Sequence, residues 1–303
     1  MSRPVETRLI LGGHSFISQL GNDPPASERE QRRIVELCLD HGIRWFDTTY
    51  RPERVALGNV LRALGRRDEA TILAWNFFTE FSPGDECGSP DYYGPGRIDA
   101  MLEQLHTSYI DCLVVIPLKD EEENRRQVEL MAEWQRKGYV RSLGIWVEEQ
   151  APDARGPFRF AIRPLNVATR DAARAFAAYK RTGWETIATS PFVRGWELER
   201  IIDSASARGH GDKEALRAVV ADLMLRFSLF QPDVDRIIVA MRKAEWVARN
   251  ADSASRGPLT AGERRFLLGL CGEPSTRRPW WRRLRAGERM RRLWRRWEEP
   301  GAD

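Results

Sequence analysis

Apolar positions along the chain fall into two alternating patterns. Short β-branched or aromatic runs recur at 8–12, 44–47, 70–75, 111–116, 141–146, 160–166, 185–189 and 236–239, each of strand length. Between most of them, apolar residues return at intervals of three and four. Ile34, Val35, Leu37, Cys38 and Leu39 do so within 28–42, and Val55, Leu57, Val60, Leu61 and Leu64 within 54–64. The same spacing predicts helices at 98–105, 124–137, 172–182 and 213–228. Gly42, Gly65, Gly138 and Gly183 stand at the ends of four such stretches, where a helix stop belongs. Eight strands joined through helices predict parallel βαβ units, which right-handed crossovers close into an α/β (β/α)8 TIM barrel. The alternative, an open doubly wound sheet, would carry a G-x-G-x-x-G turn after its first strand, and this chain has none there.

Composition narrows the class. The chain has 303 residues, 42% apolar and 30% charged, with a mean hydropathy of −0.51. That describes a globular chain, neither disordered nor collagenous. No apolar run approaches the ~18 residues of a membrane span, and the opening residues hold no apolar signal core, so a cytoplasmic protein is expected. Cys38, Cys87, Cys112 and Cys271 have no paired spacing, so neither a disulfide framework nor a zinc site is expected. The net charge is +4, but ten Arg against three Glu within 275–299 give +7, which leaves the rest at −3. Basicity therefore belongs to a tail and says little about what the body binds. The organisation expected is a barrel over 1–272 and an Arg/Trp-rich tail over 273–303.

In a barrel of this kind, the side chains at strand C-termini build the site. In order they are His14 and Ser15, Asp47 and Tyr50, Trp75 and Asn76, Ile116 and Lys119, Trp146 and Glu148, Asn166 and Arg170, Ser190 and Arg194, and Arg242 and Lys243. Aromatic groups give such a mouth an apolar floor, and its cations suit a phosphate or carboxylate.

Several segments resemble the aldo-keto reductases. GIRWFDTTYRPERVALGNVLRALGRRDEATILAW, residues 42–75, follows their signature of a G-I-x-x-F-D-T-A segment, a Tyr, a Ser-Glu, an L-G-x-x-L helix and an R-D-x-x-I strand. LHTSYIDCLVV, GYVRSLGI, PLNVATRD, SPFVRG, IIVAMRKAEWVARN and PLTAGE follow in the family's order, so the likeness runs over about residues 6–270. It implies a TIM barrel, a monomer or simple oligomer, that reduces carbonyls with NADP(H). It also implies a catalytic Asp, Tyr, Lys and His. These fall on Asp47, Tyr50, Trp75 and Ile116, with Tyr50 three residues after Asp47 where the family spaces five. Lys and His are thus replaced. The nicotinamide contacts fall on Trp146-Val147, Ile162, Asn166 and Thr189, of which only Asn166 keeps the family's residue type. Phosphate contacts are expected from Ser190, Arg194, Gly195, Arg242, Lys243 and Asn250. Trp75, Asn76, Ile116 and Trp146 are expected to line the pocket.

Three functions follow from this pattern. One is a reductase in which His14 supplies the missing acid beside Asp47 and Tyr50. A second is a barrel with non-redox chemistry, or one that binds an anionic ligand. A third is an inactive barrel that serves a protein partner. The Gly- and Pro-rich insert at 79–96 reads as a lid or as a tolerated surface insertion. In the tail, residues 277–299 interleave Arg with Trp280, Trp281, Trp294 and Trp297, and Met290, Leu293, Trp294 and Trp297 share a helical stripe. Such an amphipathic C-terminal helix suits an anionic membrane surface, a nucleic acid less well, or the barrel's own surface.

Overall fold

The computed structural model describes residues 6–17, 26–76, 96–117, 120–147, 157–170 and 172–271. Nearly all of the 79–96 insert, the tail 277–299, Cys87, Lys119 and Glu148 lie outside them.

Eight parallel strands close into a barrel in sequence order: β1 Leu9–Leu11, β2 Trp45–Thr48, β3 Thr71–Asn76, β4 Ile110–Val115, β5 Val140–Trp146, β6 Phe158–Pro164, β7 Glu185–Thr189 and β8 Arg236–Val239. The ladder is shut by β1 against β8, with Ile10 opposite Ile238. Alternation along each strand sorts the side chains. Ile10, Trp45, Leu73, Trp75, Cys112, Val114, Phe160, Ile162, Ile187 and Ile238 fill the lumen. Leu9, Leu11, Phe46, Ile72, Ala74, Leu113 and Val115 face the helical layer. This is the period-two rule of a pleated strand, here with both faces apolar because both are covered.

The helices are α1 Glu28–Asp40, α2 Arg51–Leu64, α3 Gly96–Leu105, α4 Glu121–Arg136, α5 Ala172–Arg181, α6 Trp196–Ala207, α7 Lys213–Leu229, α8 Ala244–Ser255 and α9 Ala261–Cys271. Ser27, Asp120 and Asp212 cap α1, α4 and α7, each accepting the amide of the residue three positions on. Gly65 closes α2 at φ 63°, a left-handed backbone that glycine adopts without strain. Three helices exceed the periodic expectation: α6, α8 and α9. With α7, α6 and α9 form a second apolar layer in which Ile201, Ile202, Val220, Met224, Leu267 and Leu270 are buried, whereas Val247 of α8 packs into the main core. No helix among the described residues is long and apolar enough to cross a membrane.

Candidate functional site at the barrel mouth

The strand C-termini open into one cleft of about 1460 Å3. Its β1–β5 side holds His14, Asp47, Tyr50, Trp75, Ile116 and Trp146, and its β7–β8 side holds Ser190, Gly195, Arg242 and Asn250. Ten of the fourteen expected site residues therefore share a cavity.

After β1 the chain makes a 3-10 turn, Gly13–Ser15. The Ser15 hydroxyl donates to the Gly12 carbonyl at 2.6 Å and accepts the Met241 amide at 2.8 Å. That ties the turn to the end of β8 and delivers His14 to the cleft. Gly13 cannot carry a side chain: a Cβ would lie 2.7 Å from the Asp47 carbonyl oxygen and collide with the Glu53 carboxylate.

Asp47, on β2, is 5% exposed. The Trp75 indole N–H donates to its Oδ1 at 2.5 Å, and the Gly13 amide donates to its Oδ2 at 3.5 Å. Burial pushes the Asp47 carboxyl up to about 7, and the charge of nearby Glu53 pushes it the same way. The Trp75 hydrogen bond, the His14 charge and the Gly13 amide oppose them. Burial dominates because an indole gives a hydrogen bond without a full charge to compensate the carboxylate.

Tyr50 precedes α2 in extended backbone. Glu53, in the first turn, accepts the Thr49 amide at 2.6 Å and the Tyr50 amide at 3.3 Å, satisfying donors that a helix start leaves over. Its other oxygen lies 2.7 Å from Nδ1 of His14. The His14 and Tyr50 rings stack at 5.7 Å and 8°. Sequence reasoning missed Glu53, although Pro52 and Glu53 at the start of an apolar period are a helix-entry signal.

Across the mouth, Trp75 and Trp146 tilt against each other at 5.7 Å, and Ile116 packs on the same lumen cluster. Asp47, Trp75 and Ile116 thus converge at one rim. No lysine lines the cleft among the described residues.

Three expected residues spend their side chains elsewhere. Asn76 donates to Gln127 of α4 at 3.2 Å. Asn166 donates to the Ser190 carbonyl at 3.0 Å and accepts the Ala168 and Thr169 amides, each at 2.9 Å. Lys243 starts α8 with its ammonium 5.5 Å from the centre of the Trp246 ring. Arg194 lies in the 3-10 turn Val193–Gly195 before α6. In the loop after β7, Ser190 and Val193 take φ of 58° and 49°, costly for a β-branched valine. Trp196, Arg217, Arg249 and Phe266 extend the cleft outward and were not anticipated. No His, Cys, Asp and Glu cluster able to hold a metal occurs among the described residues.

Residues 8–264 match the Aldo/keto reductase family, and the chain belongs to that family. Its fold is similar to that of the aldo-keto reductase AKR11C1 from Bacillus halodurans in its holo form, at 18% identity and TM-score 0.65 over 90% of this chain and 95% of that one. It is also similar to the thermostable aldo-keto reductase Tm1743 in complex with the inhibitor epalrestat, at 19% identity and TM-score 0.61 over 87% and 94%. Among curated proteins, none matches the chain.

The family implies a pyridine nucleotide, but the residues at the mouth do not fit its nicotinamide end. At the positions where the resemblance puts carboxamide contacts, Val147 and Ile162 are buried apolar groups and the Asn166 amide is committed to its own turn. Thr189 offers no ring for stacking. The phosphate end fits better, since Arg242, Arg249 and Asn250 line the β8 side. Even there, the first amide of α8, at Ala244, donates to the Glu30 carboxylate at 2.8 Å, so one natural anion position already holds an acid.

Proposed function

We propose that this barrel binds an anionic small molecule at its mouth and acts on it by proton transfer, with its family's hydride-transfer centre lost. The observation that carries this reading is the Asp47–Trp75 hydrogen bond. The resemblance expects an ammonium there, and the indole supplies the bond without the charge. A phenol titrates near pH 10 unless a cation lowers it, and no lysine lines the cleft among the described residues. Arg242 and Arg249 supply charge for an anion, and Trp75 and Trp146 an apolar face.

Calorimetric titration with NADPH, and with the adenosine bisphosphate that lacks its nicotinamide half, tests this. The expected affinities agree within about threefold, a difference of under 1 kcal/mol, and aldehydes cause no NADPH oxidation. NADPH binding at least tenfold tighter, with aldehyde-dependent oxidation, overturns the reading. It would favour the second one: carbonyl reduction using NADP(H) with His14 as the acid, which family membership and the shared wall of His14, Asp47 and Tyr50 support. A site that binds the anion but turns over nothing would leave the barrel a binding protein. For the tail, residues 277–299, the Arg and Trp pattern supports peripheral contact with an anionic membrane surface by an otherwise cytoplasmic protein.

A further inference from the structure

His14 and Glu53 stand 39 positions apart in sequence and meet at 2.7 Å. Glu53 is 0% exposed, and the Thr49 and Tyr50 amides hold its carboxylate from the other side. A carboxylate only accepts, so in the neutral form of His14, the form that acts as a base, Nδ1 carries the hydrogen and Nε2 the lone pair. The Tyr50 ring lies nearly parallel to the imidazole and restrains its plane. The His14 side chain is 25% exposed and lines the cleft that Trp75 and Trp146 also line. An oriented imidazole, backed by a buried carboxylate and set beside flat apolar walls, is the arrangement of a general base.

We propose that His14 is a general base that removes an acidic proton next to a carbonyl of a flat, anionic molecule held against Trp75 and Trp146. This rests on the proton-transfer reading above and adds its substrate class and its base. The substrate C–H bond breaks, its electron pair stays behind as an enolate, and the proton forms an N–H bond at Nε2. The resulting imidazolium faces the Glu53 carboxylate, which offsets its charge. Return of the proton to a second atom gives an isomer, and neither an oxidant nor a reductant is consumed. His14 is the catalytic residue, and Glu53 is a positioning residue acting through it. Among the described residues that line the cleft, Asp47 from β2 and Tyr50 from the start of α2 are the other titratable groups at this wall.

The probe is nitrobenzisoxazole, a flat aromatic whose ring C–H gives a proton to a base while its N–O bond opens to a coloured cyanophenolate. The full chain is expected to turn it over with saturation. His14→Gln is expected to lower kcat by about a hundredfold with KM unchanged, the scale of general-base catalysis. Glu53→Gln should lower kcat by about tenfold, move the acid limb of the kcat–pH profile and spare KM, with Glu53→Asp recovering part of the loss. Should Glu53→Gln fail to fold, nitrogen NMR of the unaltered chain reads the tautomer directly: Nδ1–H is expected, and Nε2–H overturns the proposal. Turnover no faster than buffer, or wild-type kcat in His14→Gln, overturns it as well. If that happens while the nucleotide titrations stay as expected, the base is wrong and the ligand reading stands.

Discussion

At Asp47 a carboxyl group is buried opposite an indole instead of a cation, and the consequence is a dependence of stability on pH. The folded chain holds the Asp47 proton up to about pH 7, while an unfolded aspartate releases its proton near pH 4. Between those values the native state binds more protons than the unfolded state, so stability falls as pH rises. Above about pH 7 the loss is complete, at most about 4 kcal/mol for a shift of this size. Asp47→Asn keeps an oxygen to accept the Trp75 N–H and removes the titration. It is expected to raise the thermal midpoint at about pH 8, with the gain vanishing near pH 4. Equal gains at both pH values would refute a buried, titrating Asp47. Much at this scale was legible. Residues at strand ends converge once the strands are known, which placed Asp47, Trp75 and Ile116 at one rim. Asn76 shows the error in that shortcut. It is one position past the inward Trp75, so strand alternation aims it outward, at Gln127. The His14–Glu53 pair was not legible, because it depends on a loop geometry that only a side-chain-free Gly13 permits.

Strands and helices were readable wherever one face is buried and the period is regular. The helices of the outer layer were less so. α7 is packed on both sides, by the barrel and by α6 and α9, and buries Leu216, Val220, Leu223, Met224, Leu225, Phe227 and Leu229, which spreads apolar positions around the helix and blurs a single stripe. α8 starts at Lys243 without a side-chain cap, so no Ser, Thr, Asp or Asn marks its entry. Helix contacts also restrict composition in ways that propensity alone misjudges. Gly58 lies inside α2, where alanine should gain about 1 kcal/mol. A Cβ there would stand 2.7 Å from the Leu105 Cα and meet the Gln104 carbonyl oxygen at the end of α3. Backbone cannot yield as a side-chain tip does, so the overpacking cost, about 1–3 kcal/mol, outweighs the propensity gain. Gly58→Ala is therefore expected to lower the thermal midpoint by a few degrees. A raised midpoint would mean that α2 and α3 are not in contact at this glycine.

At the scale of the molecule, the closed eight-stranded barrel of the family has been kept. Packing needs only apolar residues of the right period, which identities of 18% and 19% still provide. The remaining signal is the charge asymmetry between a body at −3 and ten Arg within 275–299. Each cation near an anionic bilayer contributes about 1 kcal/mol, and salt screens the attraction. Tryptophans add interfacial anchoring. The body ends in a way that permits a clean cut: Arg208 and Arg200 hold the Gly269 and Cys271 carbonyls at 2.9 and 3.2 Å, so a chain stopped after Cys271 retains the contacts of α9. In vesicle sedimentation, the full chain is expected to pellet with phosphatidylserine-containing liposomes and to be released by raised salt. The shortened chain should stay in the supernatant. Equal partitioning of the two removes the membrane role from the tail. Pelleting of both would instead put the lipid contact on the barrel, where Trp196 and Phe266 are the exposed aromatics beside the cleft.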